Sequence, residues 1–161
     1  MVQPGEVLYS ILVAPGDLRD DQIAITVITH AERKGMSLLR ESASNDEFRR
    51  ILAARVRDAS RHFHGIVPVS CGDIRALTAV ENGDQRRAGD RLYCILDTDM
   101  ENLPNHADVF ATVPRPHATK HAKTAWRTER EKLLTLMLKD FLSPSEFRGG
   151  VLNSPSCGGS S

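Results

Sequence analysis

The apolar positions of this chain switch between short dense runs and helical intervals. Val7 to Val13 (VLYSILV) is rich in β-formers and stops at the turn signal Pro15-Gly16. Gln22 to Thr29 (QIAITVIT) is dense in branched side chains, which lose rotamer freedom in a helix, and is predicted as a second strand. Lys34-Gly35 marks a turn before Met36 to Arg40 (MSLLR), a third strand. The period then changes. Phe48, Ile51, Leu52, Val56, Ala59 and Phe63 recur at helical intervals behind Ser44 and Glu47, which have capping-box spacing. That helix is predicted to end near His62, before Gly65, with Arg50, Arg57 and Arg61 on its outer face.

Beyond it, Ile66 to Ser70 (IVPVS) reads as a short strand. Pro68 cannot donate to a ladder, so this strand lies at an edge or begins at the proline. Cys71 to Ala79 suits a short helix, and Glu81 to Asp90 is a polar loop. Arg91 to Pro114 reads as strand, acidic loop, strand. A last long helix is predicted over Thr128 to Leu142, starting as early as Thr119, with Leu133, Leu134, Met137 and Phe141 on its apolar face. Ser143-Pro144-Ser145-Glu146 opens a final short turn. The order of strands, helix, strands, helix predicts an α+β fold: a mostly antiparallel sheet with two main helices packed on one side. Residues 1–148 form a single domain, and 149–161 a flexible Gly/Ser-rich tail.

At 161 residues the chain can bury a core without disulfides or a structural metal. The 21 basic and 21 acidic residues cancel, which disfavours a nucleic-acid coat or a membrane-surface protein. Aromatic content of 5% disfavours a base-stacking platform. The start MVQPGEVLYS lacks the pattern of a secretory leader, and no apolar run approaches the roughly 20 residues of a membrane span. Three cysteines without CxxC spacing suggest a reducing compartment, so a cytoplasmic, bacterial setting is expected. Cys71 and Cys94 read as small core residues, and Cys157 lies in the tail.

Candidate chemistry concentrates in one loop. Asp97, Asp99, Glu101, Asn102, Asn105, His106 and Asp108 crowd between two strands. The oxygen spacing superficially resembles a calcium loop. However, Asn102 stands where an EF-hand needs glycine, Asp108 where it needs glutamate, and the flanks are strands. The competing reading is a solvated acidic turn bent at Pro104-Asn105. His106 and Asp108, one residue apart, share a face if that segment is extended. A carboxylate beside an imidazole fixes its tautomer, as a general base requires, so these two are the candidate catalytic residues. Lys123 and Arg127 are the candidate phosphate-binding residues. They sit in Thr119 to Lys132, which carries five basic residues against two acidic and could contact nucleic acid. His62 and His64 form an HxH pair, too weak for zinc without further ligands from His106, Asp108 or Cys71. His117 and His121 are a solvated polar pair. No cofactor motif and no nucleophile elbow is present, and Cys71 is a remote nucleophile candidate.

Three pieces occur in one order: Gly35 to Leu38, His64 to Arg75, and Leu103 to Val109, the last keeping a proline and a His-Ala pair. This order resembles small bacterial proteins with a P-x-x-P-x-H-A-like turn. The resemblance implies a fold and carries no catalytic residues. The segregated charge, with no complete catalytic constellation, makes a non-enzymatic accessory or regulatory protein the first expectation, acting through a protein partner or self-association. The second is a small nucleotide- or RNA-directed hydrolase or transferase using His106 and Asp108. A metal-binding domain using His62, His64 and the acidic loop is the third.

Overall fold

The structure, a computed structural model, describes residues 1–82, 86–99, 101, 103–113 and 120–153, with the backbone alone for 120–126. Its centre is a five-stranded sheet built from β1 (Val7–Ala14), β4 (Met36–Arg40), β5 (His62–Ser70), β6 (Tyr93–Asp97) and β7 (His106–Ala111). The spatial order is β5-β1-β4-β7-β6, and every pairing is antiparallel. The α+β class therefore holds. Two short strands, β2 (Leu18–Arg19) and β3 (Gln22–Ile23), form a separate hairpin. Its two-residue turn, Asp20-Asp21, has φ of 52° and 60°. Aspartate is among the few residues that tolerate this left-handed region, which matches the twist of a hairpin.

Among the described residues four helices flank the sheet: α1 (Ile25–Thr29), α2 (Asn45–Arg55), α3 (Cys71–Ala76) and α4 (Lys120–Met137). They cover both faces, rather than the one side predicted. The cause lies in β1, whose apolar residues occupy both parities. Leu8 and Leu12 point into a core shared with Val27, Ile28, Ile74, Leu133 and Met137, which belong to α1, α3 and α4. Tyr9, Ile11 and Val13 point the other way, toward Phe48, Ile51 and Leu52 of α2. A central strand with two dry faces must be covered twice.

The predicted strand over Gln22 to Thr29 is mostly helical. Only Gln22–Ile23 is extended; Ile25–Thr29 is α1, and His30–Glu32 continues it as a 3-10 turn. Val27, Ile28 and Ala31 are buried against the α4 core, and the Glu32 carboxylate, wholly buried, pairs with the Arg130 guanidinium of α4. These tertiary contacts override the local preference of branched residues.

Helix α2 begins as the capping box requires: Ser44 Oγ accepts from the Glu47 amide, and Glu47 accepts from the Ser44 amide at 2.8 Å. It ends at Arg55 rather than near His62, because Asp58 accepts from the Ser60 amide in a tight turn. Phe63 reaches the same apolar cluster from β5, which explains its fit to the helical spacing. Helix α4 starts near the earlier predicted start and stops at Met137, so Thr128 lies inside it.

The packed body extends past residue 148. Phe147 and Leu152 are buried, and Tyr9, Phe48 and Phe147 form an aromatic cluster with centroids 4.9–5.8 Å apart. Arg148 stacks 4.7 Å over Phe48 while donating to the Glu41 and Ala43 carbonyls. Residues 154–161, with Cys157, lie outside the described residues. Strand β5 is at the sheet edge, as Pro68 predicts, and Leu142 closes it by exchanging two 2.9 Å hydrogen bonds with Ile66. That approach requires a bare backbone at Gly65, where a Cβ would stand 2.5 Å from the Phe141 ring and 2.6 Å from the Leu142 carbonyl. Gly65→Ala is expected to destabilise the fold by about 1–3 kcal/mol in urea unfolding. Gly5→Ala, with nothing within 4 Å, should stay within about 0.5 kcal/mol of the parent.

Candidate active site

The register of β4, β7 and β6 assembles a polar patch on the α2 face of the sheet. On β7 the side chains alternate. Ala107 and Val109 are fully buried in the α4 core, so His106 and Asp108 turn to the opposite face. Ser37 of β4 lies directly across from Asp108, and Leu39 across from His106. On the other side, the Thr98 amide donates to the His106 carbonyl, extending the β6–β7 ladder past Asp97 and setting Thr98 beside His106. Four polar side chains from three strands thus meet. Among the strand residues Met36 to Leu39, only Ser37 is polar and only Ser37 is exposed.

The hydrogen bonds among these four have a single consistent direction. Asp108, as a carboxylate, can only accept, so Thr98 Oγ1 donates to its Oδ2 at 2.9 Å. The Thr98 oxygen then accepts from His106 Nδ1, 2.8 Å away. With the proton on Nδ1, neutral His106 carries a bare lone pair on Nε2. That nitrogen lies 2.5 Å from the Ser37 hydroxyl oxygen and accepts its proton. Direct contact of Nδ1 with Asp108 is longer, at 3.7 Å. The result is a relay from Ser37 through His106 and Thr98 to Asp108. The imidazole is buried at 2% exposure and is bonded at both nitrogens, while the serine at the head of the relay is open to solvent. An exposed hydroxyl held by a buried, oriented base is the minimal arrangement for nucleophilic catalysis.

A second layer fixes the loop that carries His106. Glu47, at 6% exposure, accepts from the Asn105 amide and side chain at 3.2 Å, besides its two bonds from Ser44. The α2 cap and the start of β7 therefore share one carboxylate. Burial pushes the Glu47 pKa up, but the hydrogen bonds from Ser44 and Asn105 together outweigh it and hold the group below its ordinary value. Gly35, at φ 93°, gives the patch its room: a Cβ there would meet the Phe110 ring at 2.8 Å and Asp108 Cβ at 3.1 Å.

The site opens onto a cavity. Strands β1 and β4 pair only at Leu8–Arg40 and Tyr9–Leu39. Beyond these they part around a cavity of about 280 Å³, walled by Ile11 on one strand and Ser37 on the other, with His30, Lys34 and Arg55 around it. Arg55 ties the end of α2 to the β1 side of this opening. Its guanidinium donates to the Ile11 carbonyl and, at 2.6 Å, to Asp17.

The other candidates do not join this site. Helix α4 lies across the sheet from His106, so the phosphate role expected of Lys123 and Arg127 beside that histidine is not supported. Arg127 is 80% exposed and pairs with Glu131, and the side chain of Lys123 lies outside the described residues. Two further cations of the basic segment are engaged internally, Arg130 with Glu32 and Lys132 with the Thr78 carbonyl. The acidic loop does not converge on a cation: Asp97 pairs with Arg40, Asn105 with Glu47 and Asp108 with Thr98. Asn102 lies outside the described residues. His64 stacks on Phe141 at the β5 edge, three strands or about 14 Å from β7. Among the described residues no three potential ligands cluster. Burial pushes the Cys71 thiol up to about 11, which removes it as a nucleophile.

Ser37 and Thr98 are the partners that sequence reasoning missed. Ser37 carried a readable signal as the lone polar position in an apolar strand, whereas Thr98 needed the strand register. No known protein family, curated protein or solved structure matches this chain.

Because its folded-state pKa is depressed, Glu47 contributes stability that is fully present above its ordinary value of 4.5 and is lost as pH falls through the lower folded value. Glu47→Gln is expected to cost about 1–3 kcal/mol at pH 7 in urea unfolding and to flatten the acid side of the stability profile. An unchanged acid limb would show that Glu47 is not the clamp.

Proposed function

We propose that this protein is a small serine-dependent hydrolase of esters. The observation that carries the proposal is the 2.5 Å contact between the solvent-exposed Ser37 hydroxyl and the bare Nε2 of buried His106. The Ser37 oxygen bonds to the electrophilic carbon of the ester as its proton passes to His106 Nε2. Collapse of the intermediate breaks the bond to the alcohol, and that oxygen takes the proton from His106. Water then attacks the acyl-serine, gives its proton through His106 to Ser37, and releases the acid. Thr98 and Asp108 hold the Nδ1 proton throughout and stabilise the transient imidazolium.

The developing oxyanion also needs donors. Arg40 directs its amide to the Asn105 carbonyl just before β7, so two-residue alternation turns the Ser37 amide toward β1 and into the opening. The Lys34 ammonium on the cavity wall adds positive potential. The free thiols Cys71 and Cys94 support a cytoplasmic setting, and among the described residues no helix is long and apolar enough to cross a membrane.

A fluorophosphonate probe tests this without knowledge of the substrate. It is expected to modify Ser37 in intact-mass and peptide spectra. Ser37→Ala and His106→Ala should abolish labelling, with melting temperatures within a few degrees of the parent. Thr98→Val should retain the nucleophile but slow labelling and shift its pH profile. Absence of labelling in the parent protein, or labelling at another serine with Ser37 untouched, contradicts the proposal.

A second reading is favoured by one observation. Leu96, opposite Asp108 on β6, is 49% exposed beside half-buried Cys94 and Phe110. This apolar strip supports the accessory-protein expectation, with a second copy of the chain as the partner. Sedimentation equilibrium should then show a dimer that Leu96→Asp converts to monomer; a monomeric parent protein rules this reading out.

A further inference from the structure

The cavity beside Ser37 adjoins a second one. The two share the wall residues Asp17, Ala54 and Arg55, and the second lies toward the end of α2. The second cavity, about 240 Å³, is walled by Arg55, Arg57 and Arg61 against a single carboxylate, Asp17. That carboxylate is already engaged by Arg55 at 2.6 Å and by the Val13 amide at 2.7 Å. Arg57 donates through Nε to the Ala54 carbonyl, and Arg61 faces Asp58 at 3.6 Å through its own Nε. Both contacts run through the inner nitrogen, Nε, rather than the terminal fork. Planar forks of this kind match the paired oxygens of a phosphate.

Cations line the first cavity too: Lys34 and Arg55 stand on its wall with Ser37. Burial holds the His30 pKa below its ordinary value, and the Lys34 and Arg55 cations push it in the same direction.

We propose that this arginine-walled pocket binds a phosphate group, and that the substrate of the Ser37 site is a small ester carrying that phosphate at a distance from its scissile bond. The second half of this statement rests on the hydrolase reading; the phosphate pocket does not. Early termination of α2 is what builds the pocket. Were the helix to continue to His62, Arg57 and Arg61 would lie along its outer face; the turn at Asp58 instead folds them back toward Asp17.

The test is a titration with inorganic phosphate, followed by amide shifts of Gly16, Ala54 and Arg57 in ¹⁵N spectra. Saturable binding with Kd on the order of 1 mM is expected. The double substitution Arg57→Ala with Arg61→Ala should weaken it by about tenfold or more, with the melting temperature as a check on folding. Ser37→Ala should bind phosphate as the parent does. Absence of saturable binding, equal binding by the double variant, or tighter binding of succinate than of phosphate overturns the proposal. Phosphate binding without fluorophosphonate labelling of Ser37 sinks the hydrolase reading and leaves the pocket standing. Labelling without phosphate binding sinks the pocket alone.

Discussion

The antiparallel register of β7 governs this molecule. Its side chains alternate between the dry α4 core, through Ala107 and Val109, and a polar relay, through His106 and Asp108. A slip of one residue would carry an imidazole and a carboxylate into the core and put alanine and valine beside Ser37. Burial of the core face therefore enforces the geometry of the opposite face. The free energy that specifies the fold also holds the relay in place, and the site needs no separate scaffold.

Two devices sharpen that placement. Glu47 joins the first turn of α2 to Asn105, so the residue before His106 is held by a buried carboxylate with four donors around it. Strands β1 and β4 pair briefly and then part, which gives Ser37 a solvent-facing cavity in the middle of a sheet. Arg55 ties the end of α2 to the Ile11 carbonyl of β1 and to Asp17 beside the opening. Rigidity at the base and access at the nucleophile are what a positioned hydroxyl requires.

Much of this was legible in the residues. The hairpin of β6 and β7, the strand at Met36 to Arg40, the capping box at Ser44 and Glu47, and the edge position implied by Pro68 follow from local rules. So does the pairing of His106 with Asp108 on one face. What escaped was decided by tertiary contacts. Branched residues at Ile25 to Thr29 became helical because Val27, Ile28 and Ala31 face α4. Phe63 matched the helical spacing because it fills the same cluster from a strand. The union of Ser37 with His106 spans 69 positions of chain and depends on register across two strands, which no local pattern encodes. Asp20-Asp21 was readable in principle as a left-handed hairpin turn, yet the dense branched run that follows it dominates a strand reading.

The direction of the relay is the central claim, and the ring nitrogens of His106 report it directly. Long-range ¹H–¹⁵N spectra of the neutral imidazole are predicted to show a protonated Nδ1 and a bare Nε2, with Nε2 responding to Ser37→Ala. A neutral His106 protonated on Nε2 instead would donate to Ser37 rather than accept from it, and would contradict the account.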